Sequence, residues 1–217
     1  MMGHAGMAAI AVRCLCPTGS PAADSPPRGP LHGPPLRAVQ EDERPPPTPE
    51  EFRSVLGHFA SGVTVITAPG MDGKPPAGFA CQSFSSLSLE PPLVVFMVGR
   101  SSTSWPRIAR AGVFCVNILG SGQKDLCRGF GARSSQTADK FAGVSCKPSP
   151  VTGSPLIAGV PAWVDCTIHA VHTGGDHLIV IGRVEALGTD EGAAGDGPLL
   201  FHRGAFGTFD AFGTYDT

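Results

Sequence analysis

The first regular pattern of apolar and polar residues begins at Thr48, directly after a long proline-rich segment. Thr48 suits a helix N-cap, Pro49 suits the first turn, and Glu51 stands three residues after the cap. Four apolar residues then follow at the spacing of one helical face: Phe52, Val55, Leu56 and Phe59. We therefore expect an amphipathic helix whose apolar stripe packs on a domain that begins near residue 48.

Short β-branched and apolar runs after this helix predict strands. Residues 63–68 form one such run, and residues 70–73 supply turn residues, so we expect a hairpin whose second strand leads into Gly78. A polar loop of small residues, closed by a Pro-Pro pair, separates that strand from residues 93–98, which carry no charge. An uncharged run of this kind is typical of a strand that is covered on both faces.

The middle of the chain predicts helices on either side of a further strand. Residues 105–110 combine proline in the first turn with apolar positions, and Gly112 is placed to end that helix. Residues 113–119 then predict a strand, and residues 123–130 and 137–141 predict two short helices.

Strict alternation of apolar and polar residues marks the second half of the chain. Residues 162–172 place apolar side chains on one face and Asp165, Thr167 and His169 on the other, which predicts a long, half-exposed strand. A turn at residues 173–176 returns the chain as a partner strand at residues 177–184. Because short strands follow one another without βαβ alternation, we expect a mainly β fold, an antiparallel β-barrel with helices packed outside.

Composition separates two tails from the domain. Eleven of the 22 prolines lie between Pro17 and Pro49, and residues 1–47 show almost no apolar periodicity. Such a segment cannot bury enough apolar surface to fold, so we expect it to be a disordered tail. The folded domain is therefore expected at residues 48–210, with a short C-terminal tail at residues 211–217.

Charge and cysteine content exclude several classes of partner and site. Sixteen basic and 18 acidic residues give a net charge of −2, which disfavours nucleic acid, and no stretch approaches the about 20 apolar residues of a membrane span. Seven cysteines without a C-x-x-C pair fit a reducing cytoplasm better than a secreted disulfide framework. We expect no metal site, because His169 and His172 would point to opposite faces of their strand.

The polar segment before residues 93–98 is the first candidate binding site. It carries four hydroxyls within six residues, beside the small residues Gly78 and Ala80. The hydroxyls belong to Ser83, Ser85, Ser86 and Ser88. Hydroxyls and accessible backbone amides recognise neutral polar edges and phosphates, although an ordinary serine-rich connection explains the pattern equally well.

Two further positions could meet a ligand. Residues 100–104 precede the helix at 105–110 with hydroxyls and Arg100, which indicates a candidate phosphate cradle, although N-capping alone explains these residues as well. His177 follows Gly174, Gly175 and Asp176 at the mouth of a turn, where an imidazole could contact a ligand or simply complete the turn. No dinucleotide fingerprint, P-loop or serine-nucleophile motif occurs, so a bound nucleotide must be held by other means.

Taken together and in order, seven segments resemble the flavin reductase family, the short-chain NAD(P)H:flavin oxidoreductases that partner two-component monooxygenases. The segments are GVTVIT (62–67), GFACQSFSSLSLEPP (78–92), SSTSW (101–105), FCVN (114–117), DKF (139–141), GGDH (174–177) and PLLF (198–201). The resemblance runs from about residue 50 to residue 206 and leaves the N-terminal tail outside.

The resemblance implies an FMN-binding split barrel, usually a homodimer with flavin sites near the subunit interface. It also implies hydride transfer from NADH or NADPH to FMN or FAD, and delivery of the reduced, diffusible flavin to a monooxygenase. In such a reaction the cofactors carry the chemistry and no strong general base is required. The alternatives are a pyridoxamine-phosphate-oxidase-like flavoprotein and a flavin or haem storage protein without turnover.

The resemblance also implies roles for particular residues. Those implied to bind the flavin ring and ribityl chain are Gly78, Phe79, Ala80, Cys81, Gln82, Ser83, Ser86 and Ser88. Those implied to bind the phosphate are Ser101, Ser102 and Thr103. Asp176 and His177 would meet the nicotinamide, with His177 as the catalytic residue. Cys81 and Gln82 stand where other members often carry different residues, which leaves the choice between FMN and FAD open.

Overall fold

The computed structural model describes residues 46–132, 139–190, 192–193 and 197–209. Both predicted tails lie outside these residues, apart from the exposed Pro46 and Pro47. The α-helices of the described residues are α1 (Pro49–Leu56), α2 (Trp105–Ala111) and α3 (Lys124–Gly131), and a 3-10 turn at Ser121–Gln123 leads into α3. The strands are β1 (Ser61–Gly62), β2 (Thr64–Ala68), β3 (Ala77–Cys81), β4 (Ser85–Leu89), β5 (Pro92–Gly99), β6 (Val113–Ile118), β7 (Cys146–Pro148), β8 (Pro155–Ile157), β9 (Ala162–Gly174), β10 (His177–Thr189), β11 (Leu200–His202) and β12 (Ala205–Gly207).

Seven strands form one antiparallel sheet in the order β3-β2-β6-β9-β10-β5-β4. The sheet curls round on itself, so that Phe79 of β3 meets Phe96 of β5 with ring centroids 6.0 Å apart. No backbone ladder among the described residues joins β3 to β5, and the barrel stays open along one line. We call this opening, between Cys81 and residues 97–99, the seam. The antiparallel barrel predicted from the strand pattern is confirmed, and it is split.

Aromatic rings fill the barrel and fix its curvature. Phe96 is fully buried and lies edge-on to Phe114, with 5.2 Å between the ring centroids, and to Trp105 at the start of α2. Outside the sheet, α3 places Phe130 over Gly78 so closely that a Cβ atom at that position would lie 2.8 Å from the ring. Gly78 is therefore needed for the packing of α3 against β3.

Several local predictions are confirmed by the geometry of caps and turns. The threonine of the predicted cap accepts from the Glu51 amide at 3.2 Å, and the Glu51 carboxylate accepts from the Thr48 amide at 2.8 Å. Gly112 ends α2 in the left-handed region at φ 71°. Asp72 and Gly73 both have positive φ in the β2–β3 hairpin, as a tight turn between twisted strands requires.

The predicted packing of α1 onto its own domain is wrong. Its apolar stripe is exposed: Phe52 by 58%, Val55 by 67% and Leu56 by 53%. Phe59, which the pattern placed on the same stripe, lies beyond the end of the helix and is 80% exposed. The periodicity correctly predicts a helix with an apolar face, because that pattern is local. It carries no information on which surface covers the face.

Two predictions about the chain between Gly78 and Val98 are corrected. The polar loop contains strand β4, which pairs antiparallel with β5 from Ser85 opposite Val95 to Leu89 opposite Pro92. Strand β5 is not covered on both faces, because Val94, Phe96 and Val98 point into the barrel whereas Met97 is 41% exposed. An uncharged run does not distinguish a doubly covered strand from an alternating one.

Asp165 is a third correction, because it is fully buried rather than exposed. Its carboxylate accepts hydrogen bonds from the amides of Val151 and Thr152, each at 3.0 Å, and from the Thr152 hydroxyl. The segment that covers this face of β9 is the connection between β7 and β8, which contains Val151 and Thr152. Strand periodicity cannot predict such a cover.

The helix predicted at residues 137–141 lies partly outside the described residues. Residues 140–143, which are described, form turns instead of a helix. None of the helices that the structure describes is long and apolar enough to cross a membrane.

Candidate active site

A cleft of about 400 Å³ opens at the seam of the barrel. Seven residues singled out in the sequence line it: Phe79, Ala80, Cys81, Gln82, Ser83, Ser102 and His177. They come from the end of β3, the turn after β5 and the start of β10. We call this opening the seam cleft.

Antiparallel pairing brings these distant segments together. His177, the first residue of β10, pairs with Gly99, the last residue of β5. The Arg100 amide donates to the Asp176 carbonyl at 3.0 Å, which joins the turn after β5 to the β9–β10 turn. Ser104 in turn donates its hydroxyl to the Gly78 carbonyl of β3 at 2.9 Å. Three segments are thereby held at one end of the barrel.

His177 is held by its neighbour Asp176. Its Nδ1 lies 2.7 Å from the Asp176 carboxylate, and this hydrogen bond lowers the pKa of Asp176 below its ordinary value. Since a carboxylate only accepts, the bond places a proton on Nδ1 and leaves Nε2 for another partner. A Cβ atom built on Gly99 would lie 3.8 Å from Nε2, so this nitrogen lies over the backbone at the edge of the seam cleft.

The three hydroxyls of the predicted phosphate-binding turn have different environments. Ser102 lines the seam cleft and accepts a hydrogen bond from the Trp105 amide at 3.3 Å, so its hydroxyl is engaged with the first amide of α2, whose N-cap residue is Ser104. Ser101 and Thr103 are exposed on either side of it. Within the described residues neither of those two hydroxyls has a protein partner, and both are accessible to a ligand.

The serines before β5 divide into two groups. Ser83 lines the cleft, but its hydroxyl donates to the Met97 carbonyl at 2.9 Å and accepts from the Met97 amide at 3.0 Å. Ser86 and Ser88 lie on β4, opposite Val94 and Leu93, and are not among the residues lining the cleft.

Cys81 and Gln82 have opposite environments. The Cys81 thiol is buried and lies 3.4 Å from the Ser83 hydroxyl, and burial raises the pKa of the thiol. A thiol of this kind behaves as a small apolar group rather than a nucleophile. Gln82 is exposed at the mouth of the cleft.

The seam cleft has the chemistry expected for a flavin. Backbone groups of residues 82–84 make no hydrogen bond to other backbone groups among the described residues, and two of these residues, Gln82 and Ser83, line the cleft together with Phe79. Amides of this kind can donate to the carbonyl oxygens and ring nitrogens of an isoalloxazine. The volume lies within the usual range for small-molecule pockets.

The sequence did not indicate a second feature, a groove of about 750 Å³ beside α1. The groove is lined by α1 residues, by Phe201 and Arg203, and by Gln82, which also lines the seam cleft. We call it the α1 groove. The sequence contains the apolar spacing of α1 that contributes to this groove, but not the exposure of that stripe.

Comparisons with known proteins agree on one family. The family described as "Flavin reductase like domain" matches residues 56–210. The chain is 51% identical over 158 residues to the reductase subunit HsaB of a flavin-dependent monooxygenase from Mycobacterium tuberculosis, covering 73% of this chain and 81% of that protein. It is 35% identical over 181 residues to an NADH-dependent FAD reductase from Streptomyces globisporus, covering 83% and 93% respectively.

A solved structure agrees with the fold. Nitrilotriacetate monooxygenase component B from Mycobacterium thermoresistibile superimposes with a TM-score of 0.69 at 44% identity. The superposition covers 77% of this chain and 92% of the other.

Proposed function

The chain belongs to the flavin reductase family of oxidoreductases, and we propose that its seam cleft binds FMN or FAD for reduction by NADH or NADPH. The observation that carries the proposal is the cleft itself. It unites seven residues from three separate segments with backbone amides that have no backbone partner among the described residues. The NADH-dependent FAD reductase among the relatives supports NADH as donor and FAD as one acceptor.

The two nucleotides, when bound, would supply the redox chemistry, a hydride transfer from nicotinamide to flavin. The chain binds and orients them. The amides of Gln82 and Ser83 would bind the polar edge of the flavin ring in the cleft that Phe79 also lines, and the hydroxyls of residues 101–103 would bind its phosphate. Gly78 contributes to binding indirectly, by allowing α3 to support β3.

His177 is proposed to meet the nicotinamide. Asp176 keeps the proton on Nδ1, so Nε2 can accept a hydrogen bond from a carboxamide at the cleft edge. Since hydride transfer needs positioning rather than a strong base, His177 would act through binding geometry.

We also propose that the reduced flavin serves a monooxygenase. The support is that the reductase subunit HsaB, half identical to this chain, belongs to a flavin-dependent monooxygenase. The five cysteines of the described residues are free thiols, which supports the expected cytoplasmic, reducing location.

A homodimer through α1 is the proposed assembly. Three apolar side chains of the helix and Phe59 just beyond its end are more than half exposed, and Glu50 and Arg53 lie on the same helix 3.9 Å apart. In a dimer with a two-fold axis, the apolar stripe of one copy would cover the same stripe of the other. The axis would also place Glu50 of one copy opposite Arg53 of the other. The α1 groove shares Gln82 with the seam cleft, so this dimer would place the flavin sites beside the interface.

Light scattering after size exclusion tests the assembly. Wild-type protein is expected at twice the chain mass, and Val55→Asp at the chain mass. Leu187→Asp is the control, because Leu187 is 68% exposed on β10, outside the α1 stripe, and should stay dimeric. A monomeric wild type, or an unaffected Val55→Asp dimer, would contradict the proposal.

The function is tested by following NADH oxidation with and without added FMN, FAD or riboflavin. We expect turnover that depends on flavin and consumes NADH in proportion to flavin reduced. Tight flavin binding without NADH turnover would instead indicate a storage protein.

A further inference from the structure

Ser83 lies where the chain has left β3 and has not yet entered β4. Ser85 of β4 stands opposite Val95 of β5, and a ladder continued for two residues would place Ser83 opposite Met97. The ladder stops before that position. The Ser83 side chain makes the two bonds instead, donating to the Met97 carbonyl at 2.9 Å and accepting from the Met97 amide at 3.0 Å.

These bonds use nearly all the hydrogen-bonding capacity of the hydroxyl. A serine hydroxyl has one donor and two acceptor lone pairs. The donor and one lone pair are engaged by Met97, and the Cys81 sulfur lies 3.4 Å from the same oxygen. The hydroxyl has no proton left to donate to a ligand in the seam cleft.

The backbone groups of the same segment, unlike the hydroxyl, have hydrogen-bonding capacity left. In an ordinary antiparallel rung the amide and carbonyl of a strand residue bond its partner directly. Across residues 46–132 and the other described ranges, the backbone groups of Gln82, Ser83 and Phe84 make no such bond. Gln82 and Ser83 nevertheless line the seam cleft. The side chain therefore anchors the segment while its amides stay accessible.

We propose that Ser83 is a positioning residue, whose hydroxyl takes the place of one rung of the β4–β5 ladder and presents the amides of Gln82 and Ser83 to the flavin. The inference rests on the proposed flavin reductase function. In it, the Ser83 hydroxyl holds the backbone in place and does not itself contact the flavin. Without the hydroxyl, the segment loses its two hydrogen bonds to Met97 of β5. Its amides can then form the missing rung or take up other positions.

The test measures flavin binding by quenching of flavin fluorescence, separately from turnover. Ser83→Ala is expected to raise the Kd for flavin, and the KM for flavin, roughly tenfold, since two hydrogen bonds position the binding amides. Ser83→Thr keeps the hydroxyl and is expected to restore binding to within about threefold of wild type. Thr167→Ala is the matched control, because that hydroxyl bonds Glu185 on the exposed face of β9 and β10.

A purely structural role would predict a lower unfolding temperature for Ser83→Ala with an unchanged flavin Kd in the folded protein. That result, or Ser83→Thr binding as weakly as Ser83→Ala, would overturn the proposal. If Ser83→Ala does not fold, Ser83→Cys, which keeps a weak donor, must bind flavin more weakly than wild type, and wild-type affinity would refute it. Absence of flavin-dependent NADH oxidation in wild type would refute the proposed function alone, since binding is measured independently.

Discussion

His177 is the residue whose substitution tests the proposed site most directly. Asparagine at this position keeps the β9–β10 turn, because asparagine tolerates turns and bonds nearby backbone. The backbone pairing of His177 with Gly99 and Gly174 does not depend on the side chain. The substitution removes the imidazole, and with it the Nε2 atom that lies over Gly99 at the cleft edge.

The expected magnitude follows from the two bonds that the imidazole can make. The Nδ1 bond joins two largely exposed side chains, with 51% exposure for His177 and 92% for Asp176, so its loss should hardly change stability. The Nε2 bond to the nicotinamide, if worth about 0.5–1.5 kcal/mol, corresponds to a roughly two- to tenfold loss in kcat/KM for NADH. Flavin binding should stay nearly intact, because the amides of Gln82 and Ser83 are untouched.

The assay compares steady-state kinetics for NADH at saturating flavin with flavin Kd values from fluorescence titration. His169→Asn serves as the control, because His169 is exposed on β9 and does not line the seam cleft. It should match wild type in both measurements.

Two results would refute the reasoning. Unchanged kinetics for His177→Asn would remove His177 from the site. Equal losses in flavin affinity and NADH use, together with a lower unfolding temperature, would show that the hairpin itself had been disturbed.

Four further predictions concern packing, the buried carboxylate, the thiols and the tail. Gly78→Ala should cost about 1–3 kcal/mol in a denaturant titration, because the new methyl group meets the buried Phe130 ring; an unchanged midpoint would contradict this packing. Asp165→Asn should cost about 1.5–3 kcal/mol in the same titration, since the two carboxyl oxygens accept three hydrogen bonds and an amide nitrogen accepts none; wild-type stability would contradict its anchoring role. Burial raises the pKa of Cys115 to about 12, so at pH 8 labelling with an alkylating reagent, followed by mass spectrometry, should modify the exposed Cys146 before Cys115; rapid labelling of Cys115 would show that the core opens. A chain lacking residues 1–47 should keep flavin-dependent turnover, and an inactive or insoluble product would contradict the prediction that this tail is dispensable.

The sequence by itself determined the elements whose causes are local. The capping box of Thr48 and Glu51, the left-handed stop at Gly112 and the tight turn at Gly73 depend on neighbours within a few residues. Those signals can be read directly, because the bonds or dihedral angles they specify involve adjacent chain. The ordered set of motifs from residue 62 to residue 201 also indicated the family, which the comparisons confirm.

The sequence indicated most of the candidate site but not how it is arranged. Phe79, Ser102 and His177 were all singled out, yet only the pairing of β5 with β10 and the opening between β3 and β5 bring them to one cleft. Ser86 and Ser88 looked equivalent to Ser83 in sequence. The register of β4 separates them, because it places those two on a strand and leaves Ser83 at the seam.

Burial was decided by the tertiary structure alone. The stripe on α1 and the alternation in β9 correctly predict a helix and a strand, but the same patterns suggested that the stripe was covered and Asp165 exposed. Periodicity reports which residues share a face, and a face becomes buried only when a distant segment packs on it. For Asp165 that segment is the turn at Val151 and Thr152, and for Ser83 the partner is Met97 on β5. Such partners depend on how the barrel closes, which no short window of sequence contains.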